Sequence, residues 1–443
     1  MLTAGLFYQR LQSLIRQPFS DIQVLPGRIY LRSDSGALIP LFGTDEYLPE
    51  AEIMEFLLRV TVGTVHRESI RRLKEEAAQP LTDRVWNLPA PFCFVFEVYG
   101  ENDESLAEDE PGVNFQHHGR FRAQVSFFHS ENPNDFGLSL SIRRVLPFIF
   151  SLQDLEEMGA SPGFGTLVRE LARGVYRNGL ILLAGETGSG KSTTLTTGLD
   201  EMNRFFPTQS QNVIMLEDPI EVVHEDKQLR FLQCEIGRHV ASLEIALHSA
   251  LRQDPNILVI GEIRSPETLR LALAAAHNGH LVLGTIHGRS TSSLICKLVR
   301  IAGDELDALV DSLIALISQK RILLSDPQVR STRSLTNVQP VNRDDDDLEV
   351  DKGRFRTLVM EVMRPDKNPA LNSLLRKRCT DPESYYDALR KSGMPELENT
   401  FEEVLLRHWE HKRLSDLELI SAAEEKRFVT QRIAEAKLKA GNN

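Results

Sequence analysis

The spacing of apolar residues changes character partway along this chain, and the change divides it. Up to about residue 148 the apolar positions come in short, mixed runs. Leu6, Phe7, Leu11, Leu14 and Ile15 fall at helical spacing, and residues 22–25 and 29–31 read as strands around a Pro26-Gly27 turn. A helix-rich patch covers residues 51–76, followed by alternating strand patterns at 92–98, 119–128 and 138–145. This pattern predicts an α+β domain over residues 1–148, with a sheet of about five or six strands and helices on one side.

From residue 165 to 324 the rhythm is different. The apolar runs 180–184, 213–216, 257–260 and 281–286 have no polar alternation, as strands covered on both faces do. Helices lie between them. Leu243, Ala246, Leu247, Ala250 and Leu251 form one stripe, and another helix starts at Ser265-Pro266 and stops at Asn278-Gly279. The expectation is an α/β domain with a mainly parallel sheet over residues 165–443. The small-residue stretch Met158-Gly-Ala-Ser-Pro-Gly-Phe-Gly suggests that residues 149–164 form a hinge. Residues 325–352 lose all periodicity and contain Asp344-Asp-Asp-Asp, so they are expected to be an acidic surface insertion or docking segment. After a strand at 355–362 the remainder, 364–443, is helical, with Phe401, Leu405, Leu406 and Trp409 on one face.

Composition narrows the reading. A chain of 443 residues has length for two or three domains, and its formal net charge of −12 argues against a broad nucleic-acid footprint. The acidic stretch 101–112 is most simply a solvated loop. Cys93, Cys234, Cys296 and Cys379 form no C-x-x-C pair, which suits a reducing compartment and makes a zinc site or disulfide framework unexpected. The opening residues give no sign of a signal peptide. Nowhere do about 18 apolar residues follow one another, so contact with a membrane machine is expected to pass through protein partners.

The chemistry concentrates after the run 180–184, where Gly185-Glu-Thr-Gly-Ser-Gly-Lys-Ser192 fits G-x-x-x-x-G-K-[ST] between a strand and a helix. Gly185, Gly188 and Gly190 allow a curl that aims successive N–H groups at phosphate oxygens, and the helix start adds its positive dipole end. Gly185, Thr187, Gly188, Ser189, Gly190, Lys191, Ser192 and Thr193 are therefore the candidate nucleotide-binding residues. Lys191 is expected to reach the β/γ-phosphates and Ser192 to hold Mg²⁺.

Hydrolysis also needs carboxylates, and two strands end in acids. Residues 213–216 lead into Glu217-Asp-Pro-Ile-Glu221, and residues 257–260 lead into Gly261-Glu-Ile-Arg264. The second departs from the usual four-apolars-then-Asp pattern, because Gly261 occupies the Asp position and Glu262 follows. The fourth strand carries His277, His280 and His287, too loosely spaced for a zinc signature. His287, at a strand end, is best placed to sense a γ-phosphate or position water. Arg252, near a helix end, is a candidate for the phosphates or a neighbouring subunit.

Taken together, residues 185–192, 217–221, 251–264 and 279–287 resemble the Walker A, Asp box, Walker B and His box of the type II/type IV secretion and type IV pilus ATPases. Within that superfamily the chain is most similar to the PilT-type retraction motors and the DotB-like ATPases of type IVB secretion and conjugation. The resemblance implies a PAS-like N-terminal domain (1–148), a hinge (149–164) and a RecA-like P-loop domain (165–443) with a helical C-terminal region. It implies Glu217 as the general base that polarises water, Glu262 as the Mg²⁺-associated acid, and His280 and His287 as the His-box pair. Arg122 and Arg143 match the N-terminal arginine segments that face nucleotide, and Arg238 and Arg252 match arginines of the C-terminal domain. Cys234 and His248 stand where retraction motors carry further arginines, and the tetracysteine zinc element of assembly motors has no counterpart.

The function so implied is a homohexameric, Mg²⁺-dependent ATPase at the cytoplasmic face of the inner membrane. Its partners would be inner-membrane platform or secretion-channel proteins, with no direct nucleic-acid contact. A RecA-like nucleic-acid translocase and a nucleotide-gated scaffold without hydrolysis are the alternatives.

Overall fold

The computed structural model describes residues 2–14, 21–25, 28–32, 38–40, 49–61, 66–77, 92–99, 118–129, 136–145, 149–207, 211–325, 354–377, 400–423 and 426–441. The Pro26-Gly27 turn, the acidic stretch 101–112 and residues 326–352 of the insertion lie outside these. Two compact units emerge: Met1–Phe148, with which Pro219–Val222 groups, and the chain from Ile149 onward. Among the described residues no helix is long and apolar enough to cross a membrane.

In the first unit the elements are α1 (Ala4–Leu14), β1 (Asp21–Leu25), β2 (Arg28–Arg32), β3 (Leu38–Pro40), α2 (Glu50–Val60), α3 (His66–Ala77), β4 (Phe92–Tyr99), β5 (His118–His129) and β6 (Phe136–Val145). The strands pair antiparallel in the order β3-β2-β1-β6-β5-β4. Alternation by two sends Phe94, Phe96 and Val98, then Phe121, Ala123 and Val125, then Leu138, Leu140 and Ile142 into one buried layer. Phe7, Leu11, Phe56, Leu57, Ile70 and Leu73 from the helices complete that layer. Each large side chain so buried contributes about 1.5–3 kcal/mol, which is why this pattern, rather than any single contact, holds the sheet to its helices.

The second unit contains α4 (Leu152–Glu157), α5 (Pro162–Ala172), β7 (Gly179–Gly185), α6 (Lys191–Phe205), β8 (Gln211–Glu217), β9 (Leu229–Glu235), α7 (Leu243–Leu251), β10 (Ile257–Ile263), α8 (Pro266–His277), β11 (Leu281–Ile286), α9 (Thr291–Ala302), α10 (Leu306–Ser312), β12 (Leu313–Ser325), β13 (Arg354–Met363), α11 (Pro369–Arg376), α12 (Phe401–Glu410), α13 (Asp416–Ala422) and α14 (Lys426–Gly441). Seven strands pair in the order β13-β12-β7-β11-β10-β8-β9, all parallel except the antiparallel β12–β13 pair. Along β7, Leu180, Leu182 and Ala184 enter one core and Ile181 and Leu183 another, so both faces are covered. The uninterrupted apolar runs are the sequence mark of that two-sided burial. β9 and β12 escape the same reading. β9 is an edge strand interrupted by Arg230, Gln233 and Glu235, and β12 carries Ser318-Gln-Lys-Arg321 in its middle.

The stretch 149–164, expected to be a hinge, is largely helical. Ser151 caps α4, its hydroxyl accepting from Asp154 N at 3.1 Å while Ser151 N donates to the Asp154 carboxylate at 2.8 Å. Ser161 caps α5 in the same way, with Pro162 in the first turn. Leu152, Leu155, Ala160 and Phe164 are buried in the core of the second unit. Ser151, Ser161 and Pro162 act here as helix-start signals.

The C-terminal helices carry the predicted apolar face: Leu405 and Leu406 pack with Leu324, Leu414, Leu419, Val429 and Ile433. Where α12 meets β13, two acids, Glu361 and Glu402, are buried at 3% and 1% exposure. Glu361 accepts from Thr291 N at 3.4 Å. Burial first, then the charge of Glu402, pushes its carboxyl up to about 8, with Thr291 and Lys320 opposing the rise. A raised carboxyl confers stability that is complete below its ordinary value of 4.5 and is lost as pH climbs to about 8. Glu361→Gln keeps an acceptor for Thr291 and cannot ionise. Its stability gain over wild type is therefore expected to grow from near zero at acid pH towards a ceiling of roughly 5 kcal/mol that is reached only above about pH 8. Urea unfolding across a pH series measures this, and a gain independent of pH would remove the buried-acid explanation.

Candidate nucleotide site

β7 is buried from end to end, and the turn after it brings the chain back into α6. Gly190 sits at the helix N-cap with φ +92°, in the left-handed region where an L side chain is strained. With glycine there, no side chain caps α6, and the first-turn N–H groups face the loop. Lys191 folds back across it, Nζ donating to Gly185 O at 2.8 Å and Glu186 O at 3.1 Å. Burial lowers its pKa, while the carboxylates of Glu262 and Glu186 oppose the shift. Ser192 is exposed and Thr193 half-buried in the first turn, Ser189 is buried, and Thr187 and Gly188 are exposed.

Glu262 is the centre of the acidic side. Its Oε2 accepts from Arg264 Nε at 3.0 Å and Nη2 at 2.8 Å, and its Oε1 lies 2.6 Å from His287 Nε2. Burial opposes ionisation, yet the Arg264 bonds and the charges of Arg264, His287 and Lys191 hold this carboxyl below its ordinary value. Three segments thus meet here: the loop after β7, the end of β10 and the residue just after β11.

Gly261 now has a physical reason. A Cβ at this position would lie 3.0 Å from Leu216 O and 3.3 Å from Glu217 Cα. Its carbonyl also accepts from the Thr285 hydroxyl. A side chain there would press on the backbone of β8, and the acid of this strand end stands one residue later. Glu217, at the end of β8, accepts from Gln233 Nε2 at 2.9 Å. Arg264 reaches Asp218 at 3.2 Å as well as Glu262, and so ties the two strand ends together. Neither Arg264, Asp218 nor Gln233 stands out in the sequence, although the first two sit inside quoted motifs.

Other candidates are not brought to this point. His280 precedes β11 and its Nδ1 bonds Pro255 O at 2.7 Å, on the amino edge of the sheet. With a rise of about 3.3 Å per residue, the length of β11 separates it from His287 by roughly 20 Å. Arg252 caps the end of α7, exposed, in the turn that enters the amino end of β10. Both placements have one cause: in a parallel sheet, residues at opposite ends of one strand lie on opposite edges. Arg238 is exposed beyond the carboxyl end of β9. In the first unit Arg122 donates to Cys93 Sγ at 3.1 Å and Glu221 Oε1 at 3.0 Å, and Arg143 donates to Asp21 at 2.7 Å.

The donor set suits Mg²⁺. Among the described residues no three His, Cys, Asp or Glu form a ligand cluster. An exposed Ser192 hydroxyl and an ionised Glu262 carboxylate are what a hard cation needs when phosphates and water supply its remaining oxygens.

Comparison with known proteins gives a family and a fold. The family model described as "Type II/IV secretion system protein" matches residues 115–413. The type IV pilus retraction ATPase PilT of Pseudomonas aeruginosa is 37% identical over 220 residues, which are 50% of this chain and 57% of that protein. The crystal structure of the pilus retraction motor PilT with bound ADP superposes with TM-score 0.65 at 24% identity, over 97% of this chain and 100% of that one. The ATPase DotB of Yersinia pseudotuberculosis gives TM-score 0.65 at 19% identity, over 95% and 94% of the two chains.

Proposed function

Because the chain belongs to the Type II/IV secretion system protein family, we propose that it is a Mg²⁺-dependent ATPase that powers a secretion, conjugation or pilus machine. The observation that carries this reading is the Glu262 carboxylate in contact with His287 and within the field of the Lys191 ammonium on the phosphate loop. PilT, similar in fold, has been crystallised with ADP, which supports a nucleotide on the equivalent loop.

In the proposed mechanism the first-turn N–H groups of α6 and Lys191 bind the β- and γ-phosphates of ATP. Ser192 and Glu262 would hold Mg²⁺, which would supply charge neutralisation to the phosphates. Arg264 keeps Glu262 ionised and oriented, and His287 Nε2 lies against the other oxygen of the same carboxylate. Glu217 orients the attacking water and takes its proton, with Gln233 fixing one of its oxygens. Arg122, Arg143 and Arg238 are the candidates for closing over the nucleotide, from the same subunit or a neighbour. Assembly as a homohexamer at the cytoplasmic face of the inner membrane, against platform or channel proteins, completes the proposal.

Phosphate release from purified full-length chain, with ATP and Mg²⁺, is the test. Turnover unaffected by DNA is expected. Nucleotide binding without any release would make the chain a nucleotide-gated scaffold, and strong stimulation by single-stranded DNA would make it a translocase.

A further inference from the structure

Resting on that reading, we infer that Gln319, which lies outside every motif segment, is a positioning residue that sets the donor geometry of the phosphate loop. Gln319 is on β12 and stands opposite Gly185 in the parallel β12–β7 register. It is fully buried, and its Nε2 donates to Ser189 O at 2.7 Å. The loop is thereby tied to a different strand from the one that carries it.

The consequence follows from peptide geometry. The Ser189–Gly190 peptide is planar and trans, so its C=O and N–H point in opposite directions. Drawing Ser189 O towards Gln319 turns Gly190 N–H away from the sheet and into the loop, where a phosphate oxygen would be received. The two glycines make room for this arrangement. A Cβ on Gly185 would lie 2.7 Å from Gln319 O, and one on Gly190 would lie 3.3 Å from Gln319 Nε2. Because Ser189 O can only accept, the amide nitrogen must face it and the amide oxygen must face away. That oxygen and the Ser189 hydroxyl are both buried and have no hydrogen-bond partner among the described residues. A side chain selected only to fill this space would be apolar, since an unpaired buried amide oxygen is a cost without return. The donated bond is the return.

Gln319→Met keeps the volume and removes the donor, and Gln319→Asn keeps an amide that is one methylene too short. Both variants are made in the full chain and compared with wild type for ADP affinity, for kcat and KM with ATP, and for melting temperature. ADP affinity is expected to fall about tenfold and kcat/KM about ten- to a hundredfold, as for loss of one preorganised donor, with melting temperature unchanged within about 2 °C. A folded variant that binds ADP as wild type does would overturn the inference. Loss of a cooperative unfolding transition in both variants would also overturn it, by making Gln319 a core residue and nothing more. Wild-type chain that binds ADP yet releases no phosphate would sink the ATPase reading alone, because the first readout here is affinity.

Discussion

Lys191→Ala is expected to lose nucleotide binding and turnover together. The ammonium is half-buried among the carbonyls of Gly185 and Glu186, within the field of Glu262, in the first turn of α6. A charge-assisted hydrogen bond to phosphate contributes about 1.5–3 kcal/mol in the ground state, or roughly ten- to a hundredfold in affinity. The same charge meets more negative charge as the bond to the leaving oxygen breaks, so turnover should drop on the order of a thousandfold or more. Lys191→Arg should not rescue it, because a planar fork cannot fold back between two carbonyls as a point charge does. Titration with a fluorescent ATP analogue and a phosphate-release assay measure the two losses. Wild-type affinity in Lys191→Ala would remove the loop from the site.

Glu217→Gln is expected to separate the two properties, binding ATP as wild type does while turnover falls on the order of 10² to 10⁴-fold. Glutamine retains the length of the side chain and an oxygen that can accept from Gln233 Nε2, so the end of β8 keeps its geometry. What it lacks is a basic oxygen for the proton of water. Gly261, closely packed against Glu217 Cα, leaves no room for an acid that could take its place at that position. Steady-state hydrolysis equal to wild type would take the base assignment away from Glu217.

Much of this site is legible from local pattern. A phosphate loop is a run of consecutive residues whose backbone curls back on itself, so its glycines, lysine and hydroxyl declare themselves by spacing. The carboxyl ends of parallel strands form one edge of the sheet, which is why an acid directly after an apolar run, such as Glu217, can be picked out before any coordinates are known. The histidines show where that logic stops. His280 and His287 flank the same strand and share the same motif, yet only His287 is at the edge with the phosphate loop.

Sequence alone therefore determined what depends on neighbours within one turn or one strand: the α/β class, the strand–loop–helix around Lys191, the start and stop of the helix 266–277, and the two acidic strand ends. Tertiary structure alone decided what depends on strands that are distant in the chain. The order β12-β7-β11-β10-β8 puts Gln319 against Ser189, Lys191 near Glu262, and Glu217 against Gly261. The physical reason is that hydrogen-bonded strands pair by register and burial, and neither leaves a mark in the residues between them.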